Sequence, residues 1–157
     1  MIRAIVPHMR ERGSGTILNV TSSVVFNPMP FSVAYTASKA AVESLSEALY
    51  HEPAPFGIHV KMMEPGYGRG TNFETAAVAL NGENSIPAPY QAQLGVLMNG
   101  LPEVATNVED VADAVFRAVN DTSRTLRYSV AAPEKRAELS KEAFLAMSRQ
   151  AFGEPQH

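Results

Sequence analysis

Tyr35 and Lys39 are the residues of this sequence whose types and spacing most clearly suggest chemistry. They lie four residues apart in the segment AYTASKAAVESL, and residues at that spacing lie one turn above each other on a helix. A tyrosine hydroxyl has an ordinary pKa of about 10, and a nearby ammonium group favours its phenolate form. The pair could therefore exchange a proton near neutral pH. A surface tyrosine ring packed on a lysine side chain is the alternative interpretation.

Ser22 adds a hydroxyl group thirteen residues before Tyr35, directly after the apolar run TILNV. This run predicts a buried strand over residues 16–20, and ligands of parallel sheets bind beyond the carboxyl ends of the strands. A hydroxyl group there could donate a hydrogen bond to a substrate oxygen. Alternatively, it ends the strand by bonding to its own backbone, which Thr21 or Ser23 could do equally well.

Strands and helices that alternate along the chain must position these residues. We predict strands at residues 16–20, 58–63 and 127–131. We predict one helix that ends near Gly13, one from Ala34 to Leu49 that Pro53 stops, one at 108–119 with Thr106 or Asn107 as its N-cap, and one at 133–152. A segment rich in proline, glycine and asparagine, at about 66–102, lies between the second predicted strand and the helix predicted at 108–119.

Strands separated by helices of this length predict βαβ crossovers and a parallel sheet. The fold class is therefore α/β, a Rossmann-like three-layer α/β/α arrangement. Three strands with their helices amount to half of a doubly wound domain. We treat residues 1–157 as a single partial domain, the catalytic half of such a fold.

Composition excludes several classes of protein. The chain has 157 residues, of which 45% are hydrophobic and 18% charged, with a net charge of −3 and no cysteine. These values argue against a disordered chain and a basic nucleic-acid binder, and they exclude disulfides and a cysteine nucleophile. The four histidines are scattered, so we predict no metal site. Without an apolar span of about 18 residues, we expect no membrane segment and a cytoplasmic location.

Three segments in order, ILNVTSSVVF, YTASK and FGIHVKMMEPG, resemble those of the short-chain dehydrogenase/reductases. That family reads roughly I-V-N-I-S-S, Y-x-x-x-K and P-G at this spacing, and the resemblance extends over nearly the whole chain. It implies an oxidoreductase that uses NAD or NADP to reduce a carbonyl or oxidise a secondary alcohol. The implied partners are a small-molecule carbonyl or alcohol substrate and further copies of the chain, and from the composition we expect no nucleic acid and no membrane as partners.

The resemblance also implies residue roles. Ser22 is similar to the family's catalytic serine, which holds the carbonyl oxygen, and Tyr35 is similar to its catalytic acid and base. Lys39 corresponds to the lysine that bonds the nicotinamide ribose and lowers the tyrosine pKa. Tyr35 and Lys39 are thus expected to contact both substrate and cofactor.

The segment that follows the second strand is expected to bind the cofactor. Pro65 and Gly66 resemble the family's P-G turn, where a glycine lets the backbone approach the nicotinamide, although an ordinary turn has the same residues. Gly68 and Thr71 are assigned to the same site. Thr71 follows Gly66 by five positions, whereas the family's threonine usually follows by four. Residues 67–102 correspond to the family's substrate loop and would suit a hydrophobic substrate, although a helix packed on the domain would have the same apolar content.

Two family segments, T-G-x-x-x-G-x-G and N-N-A-G, occur nowhere in this sequence. The first binds the cofactor pyrophosphate, so we expect the isolated chain to be incomplete or inactive and find no residue that selects NAD or NADP. We also expect an exposed apolar edge at residues 16–20, and hence marginal stability and self-association. The alternative function is a non-catalytic remnant that acts as an interaction or oligomerisation module, paired with a full-length paralogue.

Overall fold

The computed structural model describes residues 1–66, 72–73, 86–100 and 106–130. The helices are α1 (Ile2–Arg12), α2 (Val33–His51), α3 (Ala88–Gly100) and α4 (Val108–Asn120). The strands are β1 (Gly15–Val20), β2 (Ile58–Glu64) and β3 (Arg127–Ser129), and short 3₁₀ helices span Ser23–Val25 and Ala54–Phe56. All three predicted strands are confirmed, and so are the predicted helices that fall within the described residues.

The three strands form a parallel sheet in the order β1-β2-β3. β1 is parallel to β2 along its whole length and ends with Val20 opposite Met63. β2 is parallel to β3, and this pairing ends with Glu64 opposite Ser129. Consequently the carboxyl ends of all three strands meet at one edge, which is where a parallel sheet presents groups to ligands.

Hydrophobic clusters cover both faces of the sheet. One consists of Ile17, Ile58 and Val60, with Ile2, Val6 and Met9 of α1 and Leu49 of α2 packed against it. The other consists of Met63, Ala114 and Val130, with Leu18, Val111 and Val115 packed against it. Helices α1 and α2 therefore cover one face and α4 the other, which confirms the α/β/α fold class. None of the described helices is both long and apolar enough to span a membrane.

The central strand β2 is more deeply buried than its neighbour β1. All residues of β2 except His59 are buried, as expected for a strand covered on both faces. In β1 only Ile17 is buried and Val20 is 47% exposed, so the prediction of a buried strand is wrong for most of its residues. The reason is that β1 pairs with β2 on one side only, among the described residues. Self-association of the chain through β1 stays a prediction.

Helix α3 (Ala88–Gly100) lies in the segment 67–102, for which a packed helix is the alternative to a substrate loop; its bounds were not predicted. Its apolar residues do not gather on one face, and glycines and a proline interrupt the sequence. Asn107 is the N-cap of α4, since its Oδ1 accepts a hydrogen bond of 2.7 Å from the amide of Asp110. The helix predicted at 133–152 lies outside the described residues, and the role of 67–102 as a substrate loop stays a prediction.

Gly57 shapes the turn that leads into β2, with a φ of +70°. A Cβ atom at this position would lie 2.3 Å from the carbonyl oxygen of Gly13. We expect Gly57→Ala to lower the free energy of unfolding by about 2–4 kcal/mol, because it combines backbone strain with a backbone clash. Urea unfolding measures the loss.

Gly13 is the matched control, because its φ is +65° and a Cβ atom there would meet nothing within 4 Å. Gly13→Ala should therefore cost only about 1–2 kcal/mol, the strain of a left-handed alanine. Equal losses in the two variants would show that the contact between the two turns contributes nothing.

A polar cluster fastens the segment between α4 and β3 to the middle of the sheet. Lys61 is completely buried, and its ammonium group donates to the backbone oxygen of Asp121 and, over 2.9 Å, to the hydroxyl of Tyr128. The Tyr128 hydroxyl in turn donates to Asp121 Oδ2. The amide and hydroxyl of Ser123 donate to the same carboxylate over 2.7 and 2.8 Å. Lys61 thus lies in the sheet with hydrogen-bond partners for its charge.

Hydrogen bonds from Tyr128 and then Ser123, with the charge of Lys61, hold the pKa of Asp121 well below its ordinary value. A carboxyl group whose pKa is lowered by folding stabilises the protein above its unfolded pKa of about 3.9, and this contribution is lost as the pH falls further. We expect Asp121→Asn to be less stable than the parent at pH 7, with a difference that shrinks below about pH 4. Urea midpoints between pH 7 and pH 2 test this. The control is Asp113→Asn, which removes an exposed carboxylate of α4 and should leave the urea midpoint at pH 7 close to that of the parent.

Candidate active site

Ser22 lies at the carboxyl edge of the sheet, between two residues that bond to the end of β2. The amide of Thr21 donates to the carbonyl oxygen of Met63 over 2.8 Å, and the amide of Ser23 donates to that of Pro65 over 3.0 Å. These backbone bonds extend the pairing of the two strands beyond β1. They hold Ser22 beside the turn that follows β2.

The side chain of Ser22 also takes part in local structure. Its Oγ accepts a hydrogen bond of 3.3 Å from the amide of Val24 and caps the 3₁₀ helix Ser23–Val25. This is the local backbone bond that the sequence analysis gives as the alternative interpretation. The two interpretations are compatible, because an oxygen that accepts a bond can still donate its own hydrogen. The bond thus orients a half-buried hydroxyl group.

Lys39 connects α2 to the end of β1. Its ammonium group donates to the carbonyl oxygen of Val20 over 3.1 Å, two residues before Ser22. The same ammonium group lies 5.7 Å from the ring centroid of Tyr35. The half-buried Tyr35 ring packs edge to face against Phe73, with 5.7 Å between their centroids. The structure thus places Lys39 at the strand end that carries Ser22, with Tyr35 one turn away on α2.

A second polar contact fixes α2 on the sheet. Asn19 of β1 donates from Nδ2 to the hydroxyl of Ser46 over 2.8 Å, and Ser46 donates to the carbonyl oxygen of Val42 over 2.7 Å. Ser46 is completely buried, so this contact lies at the interface of helix and strand. Asn19 therefore helps to hold the helix that carries Tyr35 and Lys39.

Pro65 and Gly66 follow β2 at the same edge, and both are half-buried. A Cβ atom on Gly66 would lie 2.7 Å from Oγ1 of the buried Thr106, which precedes α4. The turn therefore packs closely against the start of α4, and a side chain at this position would force a shift. Gly68 and Thr71 lie outside the described residues, so their assignment to the cofactor site stays a prediction.

Aromatic side chains from three segments lie around α2. Besides Phe73 on Tyr35, Phe31 packs edge to face against Tyr90 of α3, with 6.0 Å between their centroids. Phe31 is the non-glycine residue with a positive φ, 63°, among the described residues. A left-handed phenylalanine is strained, and such strain is typical of functional sites. No sequence pattern indicates this aromatic group, because its members are far apart in the chain.

Arg127 and three glutamates form a cluster beside this edge that the sequence analysis also missed. Arg127 Nη1 donates to Glu64 Oε1 over 2.6 Å and to Glu43 Oε1, and Nη2 donates to Glu47 Oε1. One signal was available: Glu43 follows Lys39 by four residues and so shares its helix face. The arginine, 84 residues after Glu43, had no such signal.

Comparisons with known proteins identify the family. Residues 1–80 match the family model described as short chain dehydrogenase. The chain belongs to the short-chain dehydrogenase family. This finding confirms the resemblance given by the three sequence motifs, and with it the Rossmann-like fold class.

The relatives of this family member include a reductase and a dehydrogenase. The NADPH-dependent 1-acyldihydroxyacetone phosphate reductase of Schizosaccharomyces pombe is 38% identical over 114 residues, which are 69% of this chain and 38% of the relative. Human 17-beta-hydroxysteroid dehydrogenase type 1 is 30% identical over 162 residues, which cover 99% of this chain and 46% of the relative.

A solved structure is also similar to this chain. The 3-ketoacyl-(acyl-carrier-protein) reductase from Brucella melitensis, complexed with NADH, is 25% identical with a TM-score of 0.63, and the match covers 83% of this chain and 50% of that one. The chain of this short-chain dehydrogenase therefore spans about half the length of that structure.

Proposed function

We propose that this short-chain dehydrogenase contributes the catalytic residues of an NAD(P)-dependent oxidoreductase that reduces a carbonyl or oxidises a secondary alcohol. The observation that carries the proposal is the bond from the Lys39 ammonium group to the carbonyl oxygen of Val20. It brings the helix of Tyr35 and Lys39 to the strand end that carries Ser22. A hydroxyl donor, a phenol and a cation can supply the hydrogen bond, the proton and the charge stabilisation that carbonyl reduction uses beside the hydride donor.

In the proposed reaction each residue acts on the carbonyl oxygen or beside it. Ser22 donates a hydrogen bond to this oxygen, where negative charge grows as the carbon accepts hydride. Tyr35 gives its proton to the oxygen, which completes the alcohol, and Lys39 stabilises the phenolate that remains. NADH or NADPH, when bound, supplies the hydride and is oxidised to NAD or NADP. Alcohol oxidation runs the same steps in reverse.

The described residues fit the nicotinamide end of such a cofactor. A Cβ atom on Gly66 would lie 2.7 Å from Thr106 Oγ1, so packing on the start of α4 accounts for the glycine at this position, and the close approach of the turn to a flat ring is part of the proposal. Lys39 supplies a donor for a ribose hydroxyl, and we assign Pro65, Gly68 and Thr71 to the same site. Among the relatives, one is named as NADPH-dependent and one was solved with NADH, which supports either cofactor.

We propose a large apolar carbonyl compound as the substrate. Phe31, Phe73 and Tyr90 remain 37%, 52% and 52% exposed beside the helix that carries Tyr35. Apolar pockets with aromatic walls suit ligands that bury hydrophobic surface. Two relatives are named for substrates with a large apolar part, an acyl chain in the acyldihydroxyacetone phosphate reductase and a steroid in the hydroxysteroid dehydrogenase, which supports a large apolar part in this substrate.

The test joins this chain to the amino-terminal, cofactor-binding half of the Brucella melitensis reductase. NADH and NADPH oxidation by this hybrid protein is followed over carbonyl compounds that range from a small polar ketone to long-chain and steroid ketones. We expect hydride transfer with the apolar ketones to exceed that with the small one. A hybrid that binds cofactor but transfers no hydride contradicts the proposal and favours the interaction module, the alternative function.

A further inference from the structure

Arg127 joins two elements of the proposed site through buried carboxylates. Glu43 on α2 is 5% exposed and Glu64 at the end of β2 is 7% exposed, and Nη1 of Arg127 contacts an oxygen of each. The more exposed Glu47 contacts Nη2. The guanidinium carbon also lies 5.8 Å from the ring centroid of Phe26, just after the 3₁₀ helix that Ser22 caps.

We expect this contact to contribute more to stability than an ordinary surface ion pair, because Arg127 neutralises two buried carboxylates. Two buried carboxylates repel each other and lack water, so each needs a cation or several hydrogen bonds. The second oxygen of Glu43, Oε2, is buried and has no hydrogen-bond partner within the part of the chain that the structure describes. Arginine suits this position, because its planar group can hold several carboxylate oxygens in a defined geometry.

Both carboxylates are adjacent to proposed site residues. Glu43 lies one helical turn after Lys39, on the face of α2 that turns to the strand ends. Glu64 immediately precedes the turn of Pro65 and Gly66. Arg127 thus bridges the helix that carries the proton donor to the turn proposed to contact the nicotinamide.

We propose that Arg127 is a positioning residue, which holds α2 and the turn after β2 at a fixed separation. This inference rests on the proposed function for its catalytic consequence. Arg127 itself contacts neither substrate nor cofactor in this scheme. Its removal should therefore lower turnover through misplacement of Tyr35 and Gly66, because small displacements of reacting groups are costly in rate.

The experiment compares three variants. Arg127→Met removes the guanidinium group, and Arg117→Met removes an exposed arginine of α4 as the control. The triple variant Arg127→Met with Glu43→Gln and Glu64→Gln removes both carboxylate charges as well. Hydrogen exchange is measured on the full chain, in peptides that cover residues 33–51 and 58–66. Turnover and KM are measured on the hybrid protein.

We expect Arg127→Met to raise exchange in both peptides about tenfold and to lower the melting temperature by about 10 °C. We expect kcat to fall about tenfold while KM for the ketone stays within about threefold. The triple variant should recover most of the melting temperature but not kcat, because its carboxamides need no cation and yet form no bridge. Arg117→Met should change none of these quantities.

Two results would overturn the inference. Unchanged exchange in the peptide at 58–66 would mean that Arg127 does not hold the turn. Recovery of kcat together with the melting temperature in the triple variant would mean that Arg127 only neutralises charge. If the parent hybrid transfers no hydride, the proposed function fails instead, and hydrogen exchange alone still decides whether Arg127 holds helix and turn together.

Discussion

Replacing Tyr35 by phenylalanine should lower the turnover of the hybrid protein about 10³-fold, since general acid catalysis contributes about 10²–10⁴ in rate. The substitution removes one oxygen and keeps the ring, so the edge-to-face contact with Phe73 should persist. The cofactor and the substrate can still bind, and KM should change far less than kcat. Steady-state hydride transfer, with the melting temperature as a check on folding, measures the effect.

Tyr50 provides the matched control on the same helix. Its hydroxyl donates to the carbonyl oxygen of Arg124 over 2.7 Å and lies near the other end of α2. Tyr50→Phe should cost a modest amount of stability, about 1 kcal/mol for a lost hydrogen bond, and leave kcat unchanged. If Tyr35→Phe and Tyr50→Phe had the same kcat as the parent, the phenol would have no part in the reaction.

Replacing Lys39 by methionine should lower kcat about 10²-fold and weaken cofactor binding, because it removes a charge beside the developing phenolate. The methionine keeps an unbranched apolar side chain, so packing near the Tyr35 ring is largely preserved. The bond to the carbonyl oxygen of Val20 is lost as well, which should reduce stability by about 1–3 kcal/mol. Fluorescence titration with NADPH separates the binding effect from turnover.

The Lys39→Arg variant distinguishes a catalytic role of Lys39 from a structural role, in which it only holds α2 on β1. Arginine keeps the charge and can still donate to Val20, but its planar group differs in shape from a compact ammonium group. We expect it to recover most of the lost stability and only part of the lost kcat. A Lys39→Met variant with reduced stability and full kcat would restrict this lysine to the structural bond seen with Val20.

Local sequence patterns determined several elements correctly, for identifiable reasons. The apolar spacing after Ala34 predicted α2, and a spacing of four residues implies neighbouring positions of Tyr35 and Lys39 on any helix. The run at 58–63 predicted β2, because apolar residues alternate with His59 and Lys61 before the turn at Pro65, which is the period of a strand. Three motifs in order were sufficient to indicate the family.

Other features depended on neighbours that are remote in the chain. The covering of β1 depended on such neighbours. Its apolar run predicted a strand and the missing family segments predicted an exposed edge, and Val20 is 47% exposed because described residues pair with β1 on one side only. The bounds of helix α3 escaped prediction, since its apolar residues form no single face. The strand end at Ser22 and the turn at Gly66 lie side by side only because β1 pairs with β2.

By itself, then, the sequence determined the types of most elements, the order of the motifs and the helical pairing of Tyr35 with Lys39. Each depends on residues close together in the chain, whose relative positions follow from the geometry of one helix or strand. Only the tertiary structure decided that Lys39 bonds the end of β1 and that Arg127 joins two buried glutamates. Such contacts depend on how separate elements pack, and no local periodicity encodes which distant side chains will meet.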